Sequence, residues 1–361
     1  MDVRSKAKLF IPVQMIHHLI DRYKRLRTEH FLRRSFPGSY AFVGMGQHSL
    51  TNLYPILQYL GVRLKYICVT SEHKAQLIQQ HFPQTQACTS LTEILADESV
   101  CGVLVAASPA AHYSIARQVL QSGKSLFIEK PPCQTLEELE DLISQQHLHH
   151  SPVVVVGLQK RYAPAVLMLH RRLQNEHIIS YDLHHRLGTY PEGNAPTDLF
   201  IHSLDLAIYL FGPAELIAKA PLPGGSFILM LRHQHIVGTL ELSTSYSWSQ
   251  ADESLVINTL SGIYQLANSE VLTHTPKAPT ILGIPIEKIR RRPLTTTTLA
   301  ASNRCVPTAT NNPLFTQGYY AELLHFLQAT QQPSPHASPT SLESLRDTYR
   351  LIGQLADSAR T

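Results

Sequence analysis

The sequence predicts an α/β fold: a parallel sheet first, then a second α/β unit built on a large open, mostly antiparallel sheet. Three observations carry this. Short, nearly all-apolar runs alternate with helix-length segments between residues 39 and 156, as in a parallel sheet covered on both faces. A glycine pair, Gly44-Met45-Gly46, follows the first of these runs. After Gly157 the runs lengthen and partly alternate, as in a sheet with one face covered.

At 361 residues the chain exceeds one typical domain. We divide it into a basic amphipathic extension (1–36), a first α/β unit (37–157) and a second with closing helices (158–361). Apolar residues make up 43% and charged residues 16%, enough for two cores. Mean hydropathy is -0.08, the value of a water-soluble protein. No run of eighteen apolar residues occurs, so no membrane span is expected. Residues 1–36 hold nine Lys/Arg and three Asp/Glu, a net of +6 that leaves the remainder at -2. A basic body for nucleic acid is therefore not indicated. Cys68, Cys88, Cys101, Cys133 and Cys305 form no CxxC pair. That suits a reduced, cytoplasmic chain without a disulfide frame or zinc site. The N-terminus lacks a long apolar segment with a small-residue cleavage site, which argues against a secretory signal.

The elements follow in order. Residues 12–32 carry Val13, Ile16, Leu19, Ile20, Tyr23 and Leu26 at helical spacing, with Arg22, Lys24, Arg25 and Arg27 between them. Pro12 suits a first turn. The modest stripe favours a helix docked on its own protein with a solvated basic face. A membrane-surface or partner-binding helix is the alternative. Strands are expected at 39–43, 64–70, 100–107, 125–128 and 152–156, with helices at 47–60, 72–82, 109–121 and 136–147. Beyond Gly157 come a helix at 163–175, a strand at 178–186 and a helix at 198–211 stopped by Gly212-Pro213. Strands follow at 227–232, 235–246, 254–260 and 263–266. Residues 268–313, rich in Pro, Thr, Asn and Arg, read as a long excursion. Two helices, 316–330 and 341–358, close the chain across a Pro/Ser-rich linker.

The motifs supply the chemistry. Gly44-Met45-Gly46-Gln47-His48-Ser49 is a GxGxx turn with Ser in place of a third glycine. Gly44 permits the tight turn, Gly46 lets backbone approach a pyrophosphate at a helix N-terminus, and Ser49 is small enough to pack helix on strand. The strand–turn–helix context makes this a dinucleotide-binding reading, with Gln47 and His48 in the turn. An acid at the end of the second strand would bond the ribose 2′-hydroxyl of NAD. Thr70 stands there instead, followed by Ser71 and Lys74, which suit the 2′-phosphate of NADP. Glu72 complicates the choice, since it also suits the start of the next helix. NADP is preferred over NAD. Ser108-Pro109 ends the third long strand, with His112 beyond it, leaving room for the nicotinamide half or forming an ordinary strand-to-helix turn.

Glu129-Lys130-Pro131 ends the next strand. A lysine there points into the crevice where such folds bind ligands, and its ammonium can stabilise an alkoxide forming on a reacting oxygen. A surface lysine paired with Glu129 is the plainer reading. On one helix, Asp198, His202 and Asp205 share a face, and His moves protons near neutral pH. Helix capping by Asp198 and a structural His202 is the alternative. His147, His149, His150 and His184-His185 lack the companion ligands of a metal site, and none is expected.

In order and spacing these segments resemble the Gfo/Idh/MocA oxidoreductase family over residues 39–358. The resemblance rests on Gly44/Gly46, Ser108-Pro109 with His112, Glu129-Lys130-Pro131, and Gly157-Leu158-Gln159-Lys160-Arg161-Tyr162-Ala163-Pro164. Asp198…His202…Asp205 and the closing Gln317-Gly318-Tyr319 and Glu322…Phe326 complete it. It implies a Rossmann domain, then a substrate domain whose open sheet forms a homo-oligomer interface. It also implies reversible hydride transfer between NAD(P) and a sugar- or cyclitol-like alcohol. Lys130 would be the catalytic lysine, His202 the proton donor or acceptor and Asp198 the supporting acid, with Arg161 and Tyr162 at the substrate. Phe200 replaces a glycine of the family's helix, which is expected to narrow the pocket. The second unit most resembles an MviM-like branch, which names no substrate. Imine reduction and a catalytically inactive, NAD(P)-sensing protein are the alternatives.

Overall fold

The structure is a computed structural model that describes residues 13–190, 193–289, 294–303, 305–306, 308–332 and 338–357. Pro12 and its suggested place in a first turn lie outside them.

The first sheet has six parallel strands in the order β3-β2-β1-β4-β5-β6. These are β1 (Ser39–Val43), β2 (Leu64–Cys68), β3 (Gln86–Cys88), β4 (Val100–Val105), β5 (Ser125–Glu129) and β6 (Val154–Gly157). Side chains alternate across a strand, so consecutive apolar residues fill both faces. Ala41, Val43, Val103, Val105, Leu126 and Ile128 join one core. Tyr40, Phe42, Leu104 and Phe127 join the other. β3 and the helix Leu91–Ala96 stand where no element was expected. Three residues of strand and six of helix are too short to impose a period, and only their neighbours hold them.

The second sheet has eight strands in the order β16-β13-β12-β11-β7-β10-β9-β8. They are β7 (Ile178–Arg186), β8 (Glu215–Pro221), β9 (Phe227–His233), β10 (Ile236–Ser243), β11 (Asp252–Thr259), β12 (Gly262–Ala267), β13 (Val271–Pro276) and β16 (Thr297–Ala300). A separate hairpin pairs β14 (Thr280–Ile281) with β15 (Ile284–Pro285). Only β7 and β10 pair in parallel. On β9, Phe227, Leu229, Leu231 and His233 are buried while Ile228, Met230 and Arg232 are exposed, the alternation of a one-sided sheet. The segment 268–313 is not a pure excursion: β13 and β16 extend the sheet from within it, as strands of only six and four residues.

Two helices depart from expectation. The helix expected at 198–211 is broken into Ala195–Asp198 and Ile201–Phe211, with a turn at Leu199-Phe200. That turn sends Phe200 into the core against Phe227 and His185, so it does not narrow a pocket. The closing helix Tyr319–Gln331 returns to the first sheet, where Leu323, Phe326 and Leu327 pack with Phe42, Leu104 and Phe127.

Helix α1 spans Val13–Arg33. Met15, Leu19, Tyr23 and Leu26 are exposed at 53%, 52%, 63% and 52%, so the stripe is not docked on the body as expected. Among the described residues, the helix meets the body through its last turn and the residues just beyond it, where Gln331 donates to the Ser35 carbonyl at 3.0 Å and Phe36 is buried. The Phe31 ring lies 5.2 Å from that of Tyr59, and Arg34 donates to the Tyr320 hydroxyl at 2.6 Å.

Candidate functional site

The site begins where β1 ends. Gly44 has φ +88°, and a Cβ on it would lie 2.5 Å from the Ala106 carbonyl. Glycine is needed there for both conformation and space. Ser49, buried, donates its hydroxyl to the Gly44 carbonyl at 3.2 Å and ties the following helix to the turn. A Cβ on Gly46 would meet nothing within 4 Å. Open space above a glycine backbone at a helix start fits a pyrophosphate.

A cleft of about 530 Å³ runs from this turn past Gln47, His48, Thr70, Lys74 and Ser108. The cleft residues therefore fit a dinucleotide. Ser71 is not in its wall: its hydroxyl caps the helix Glu72–His81 by accepting the Lys74 N–H at 3.3 Å. Glu72 accepts from the Thr89 hydroxyl at 2.7 Å and is not in the wall either.

A second cavity, about 450 Å³, shares His48, Ala106 and Ala107 with the cleft and contains Pro109, His112, Glu129, Lys130 and His202. His48 bridges the two. Asn52 donates its amide to Nδ1 at 2.9 Å, which leaves Nε2–H to donate to Glu129 at 3.1 Å. His112 donates from Nδ1 to the Pro131 carbonyl at 2.7 Å and so steadies the loop carrying Lys130. Burial pushes its pKa down.

Lys130 donates from Nζ to the Asp198 carbonyl at 2.7 Å. Burial lowers its pKa, against the raising charges of Glu129 and Asp198. His202 faces the same cavity, and its Nδ1 is buried without a partner among the described residues. Burial first, then the charges of Lys130 and Lys160, holds its pKa well below the usual value. That direction favours the neutral imidazole over the protonated form.

Asp198 does not orient His202 as expected. With the helix broken after it, its carboxylate accepts from the Asn194 N–H at 2.8 Å, the Tyr190 hydroxyl at 3.2 Å and the Gln134 amide at 3.4 Å. Arg161 and Tyr162 are likewise turned from the cavity. Arg161 makes a buried two-pronged pair with Asp205 at 2.8 and 2.5 Å and donates to the Pro339 carbonyl. Asp205 is consumed in this pair rather than joining a stripe with Asp198. The Tyr162 hydroxyl lies 3.1 Å from that of Thr340.

Lys160, the residue before Arg161, does face the cavity, and so does His185. Both also line a third cavity, about 350 Å³, with Gln159, Glu253, Glu270 and Gln317. Lys160 forms an ion pair with buried Glu253, whose other oxygen accepts from Ser269 at 3.2 Å. His185 is hydrogen-bonded to the Ser203 hydroxyl at 2.8 Å, and burial lowers its pKa to about 4. Parity along β7 was the missed signal for His185. Tyr181 and Leu183 point inward, so His185 does too, while His184 points to Asp252 at 2.9 Å. No group of three or more His, Cys, Asp or Glu among the described residues is placed to hold a metal.

Comparison with known proteins agrees with this geometry. Residues 39–158 match an oxidoreductase family with an NAD-binding Rossmann fold, Gfo/Idh/MocA. Inositol 2-dehydrogenase of Salmonella typhimurium is 23% identical over 186 residues, covering 49% of this chain and 55% of that protein. The match thus spans about half the length of that relative. A dehydrogenase from Chromobacterium violaceum superposes with a TM-score of 0.74 at 21% identity, covering 89% of this chain and 94% of its own. Levoglucosan dehydrogenase, solved with NADH and levoglucosan, gives 0.73 at 15% identity, covering 90% and 97%. At such identities the two structures speak for the fold alone. Residues 39–158 are thus similar to the NAD-binding Rossmann domain of the Gfo/Idh/MocA oxidoreductase family.

Proposed function

We propose that the chain is an NAD(P)-dependent oxidoreductase that interconverts a secondary alcohol and a ketone on a sugar- or cyclitol-like substrate. The observation that carries this reading is the shared wall of the two cavities. Lys130 and His202 line a chamber bounded by His48, Ala106 and Ala107, which also bound the nucleotide cleft. Bound nicotinamide supplies the hydride acceptor or donor. Lys130, held by the Asp198 carbonyl, donates a hydrogen bond to the reacting oxygen and stabilises negative charge there. Neutral His202 accepts the hydroxyl proton during oxidation and returns it during reduction. A protonated resting His202 is not part of this scheme, because burial and its cationic neighbours disfavour that form.

The third cavity supports a polyhydroxyl substrate. It offers donors and acceptors together in Gln159, Lys160, Glu253 and Gln317, as orientation of several hydroxyls requires. The names of the inositol and levoglucosan dehydrogenases point the same way. The absence of an acid at Thr70, the position of Lys74 in the cleft and the engagement of Glu72 by Thr89 favour NADP over NAD. Exposed Ile228, Met230, Val237 and Ile263 on the second sheet favour pairing with a second copy there. Five free thiols favour the cytoplasm.

The test is a panel of polyols, aldoses, ketoses and cyclic imines offered to the purified protein with each cofactor, read by nicotinamide absorbance. Turnover of at least one polyol or its ketone supports the reading. Turnover confined to imines, or cofactor binding with no turnover across the panel, overturns it.

A further inference from the structure

We infer that helix α1 is a docking surface for an anionic lipid bilayer, lying in the headgroup plane rather than crossing it. Met15, Ile16, Leu19, Ile20, Tyr23 and Leu26 are all more than two-fifths exposed. At about 100° per residue they fall within one stripe roughly 140° wide. Arg22 flanks one edge of that stripe and Lys24 the other, with Arg27 inside the second edge. No ion pair engages these three cations among the described residues, whereas Glu29 is already taken by Arg25 at 3.9 Å and Arg33 at 3.2 Å. An apolar face bordered by unpaired cations is complementary to acyl chains beneath anionic headgroups, and long cationic stems reach up to the phosphates. The helix is not apolar enough to cross a membrane, as holds for every helix among the described residues.

The sequence of α1 weighs against a second copy as the occupant. A heptad seam through Ile16, Leu19, Tyr23 and Leu26 reaches Arg33 one heptad later, well short of the three or four heptads a coiled coil needs. In a parallel pair on that seam, Arg22 of one copy would also oppose Arg27 of the other. Among the described residues, Phe31, Arg34, Ser35 and Phe36 anchor the C-terminal end of the helix, while Met15, Ile16, Leu19, Ile20, Tyr23 and Leu26 stay exposed.

The test is co-sedimentation of the full chain with vesicles of phosphatidylcholine alone or with about a third phosphatidylserine. Three cations near the surface predict roughly hundredfold tighter binding to the anionic vesicles, weakening as salt rises. Ile16→Glu with Leu19→Glu should abolish that binding, and Arg22→Glu with Lys24→Glu should reduce it at least about tenfold. Both variants alter exposed side chains and should keep the wild-type melting temperature. The inference is overturned if wild-type protein ignores anionic vesicles or binds neutral ones equally well. It is also overturned if the stripe variant splits an oligomer while vesicle binding is absent, since the helix would then join copies of this chain.

Discussion

The Lys130 ammonium donates a 2.7 Å hydrogen bond to the main-chain carbonyl of Asp198, not to its carboxylate. The Asp198 carboxylate is spent on Asn194, Tyr190 and Gln134. Lys130→Ala should therefore lower kcat about 10²–10³-fold, the scale of losing one preorganised donor to a developing oxyanion. Asp198→Asn keeps the carbonyl and should cost less than about tenfold. Steady-state kinetics of both variants decide this. An equal loss in the two would restore Asp198 as a supporting acid.

Cofactor choice should rest on Lys74, which lines the cleft beyond Thr70. Lys74→Ala should weaken NADPH by about tenfold while leaving NADH nearly unchanged, since one charge-assisted contact is worth about 1.5–3 kcal/mol. Titration of each cofactor by fluorescence reads the ratio. Wild-type protein that binds NADH tenfold tighter than NADPH would contradict the assignment.

Arg161 should matter to the fold rather than to the substrate. Its guanidinium is buried in a two-pronged pair with Asp205. Removing one partner of such a pair strands a buried charge, at a cost of about 3–5 kcal/mol. Arg161→Ala should accordingly lower Tm sharply, with KM little changed in whatever protein remains folded. A normal Tm with a raised KM would return Arg161 to the substrate.

Stability should fall with rising pH through Glu322. It is fully buried in the helix Tyr319–Gln331, and burial, aided by Glu129, raises its pKa well above 4.5. A carboxyl whose pKa is raised by folding contributes its stability below 4.5 and loses it as pH climbs through the folded value. Glu322→Gln removes that proton linkage. The variant should gain on wild type as pH rises, in parallel melts across pH. Two curves that stay parallel would show that Glu322 is not protonated in the folded state.

Much of this arrangement was legible from residues alone, wherever a period or a backbone constraint spoke. The all-apolar strands announced the parallel sheet, and the Gly44 turn announced the cleft, because few backbones need glycine there. Lys130 and His202 were singled out by their strand end and helix, and both line the second cavity. Legibility failed where neighbours decide. Arg161 and Lys160 are adjacent and both cationic. Only the turn at Gln159–Tyr162 sends Lys160 to the cavity and Arg161 to Asp205. Asp198 and His202 were expected on one helix, but the turn at Leu199-Phe200 separates them, and the Asp198 carboxylate meets Asn194, Tyr190 and Gln134 instead. β13 and β16 are six and four residues long with few large apolar side chains, too little to show a strand period without the sheet beside them.

The central claim is that Lys130 and His202 serve hydride transfer and its proton, not the fold. Turnover of His202→Ala on a confirmed alcohol, measured beside NADPH binding and thermal melting, tests it most directly. The account predicts a loss of about 10²–10⁴ in kcat, cofactor affinity within about threefold of wild type, and an unchanged melting temperature. Wild-type turnover by this variant would contradict the account, as would a collapse of its melting transition.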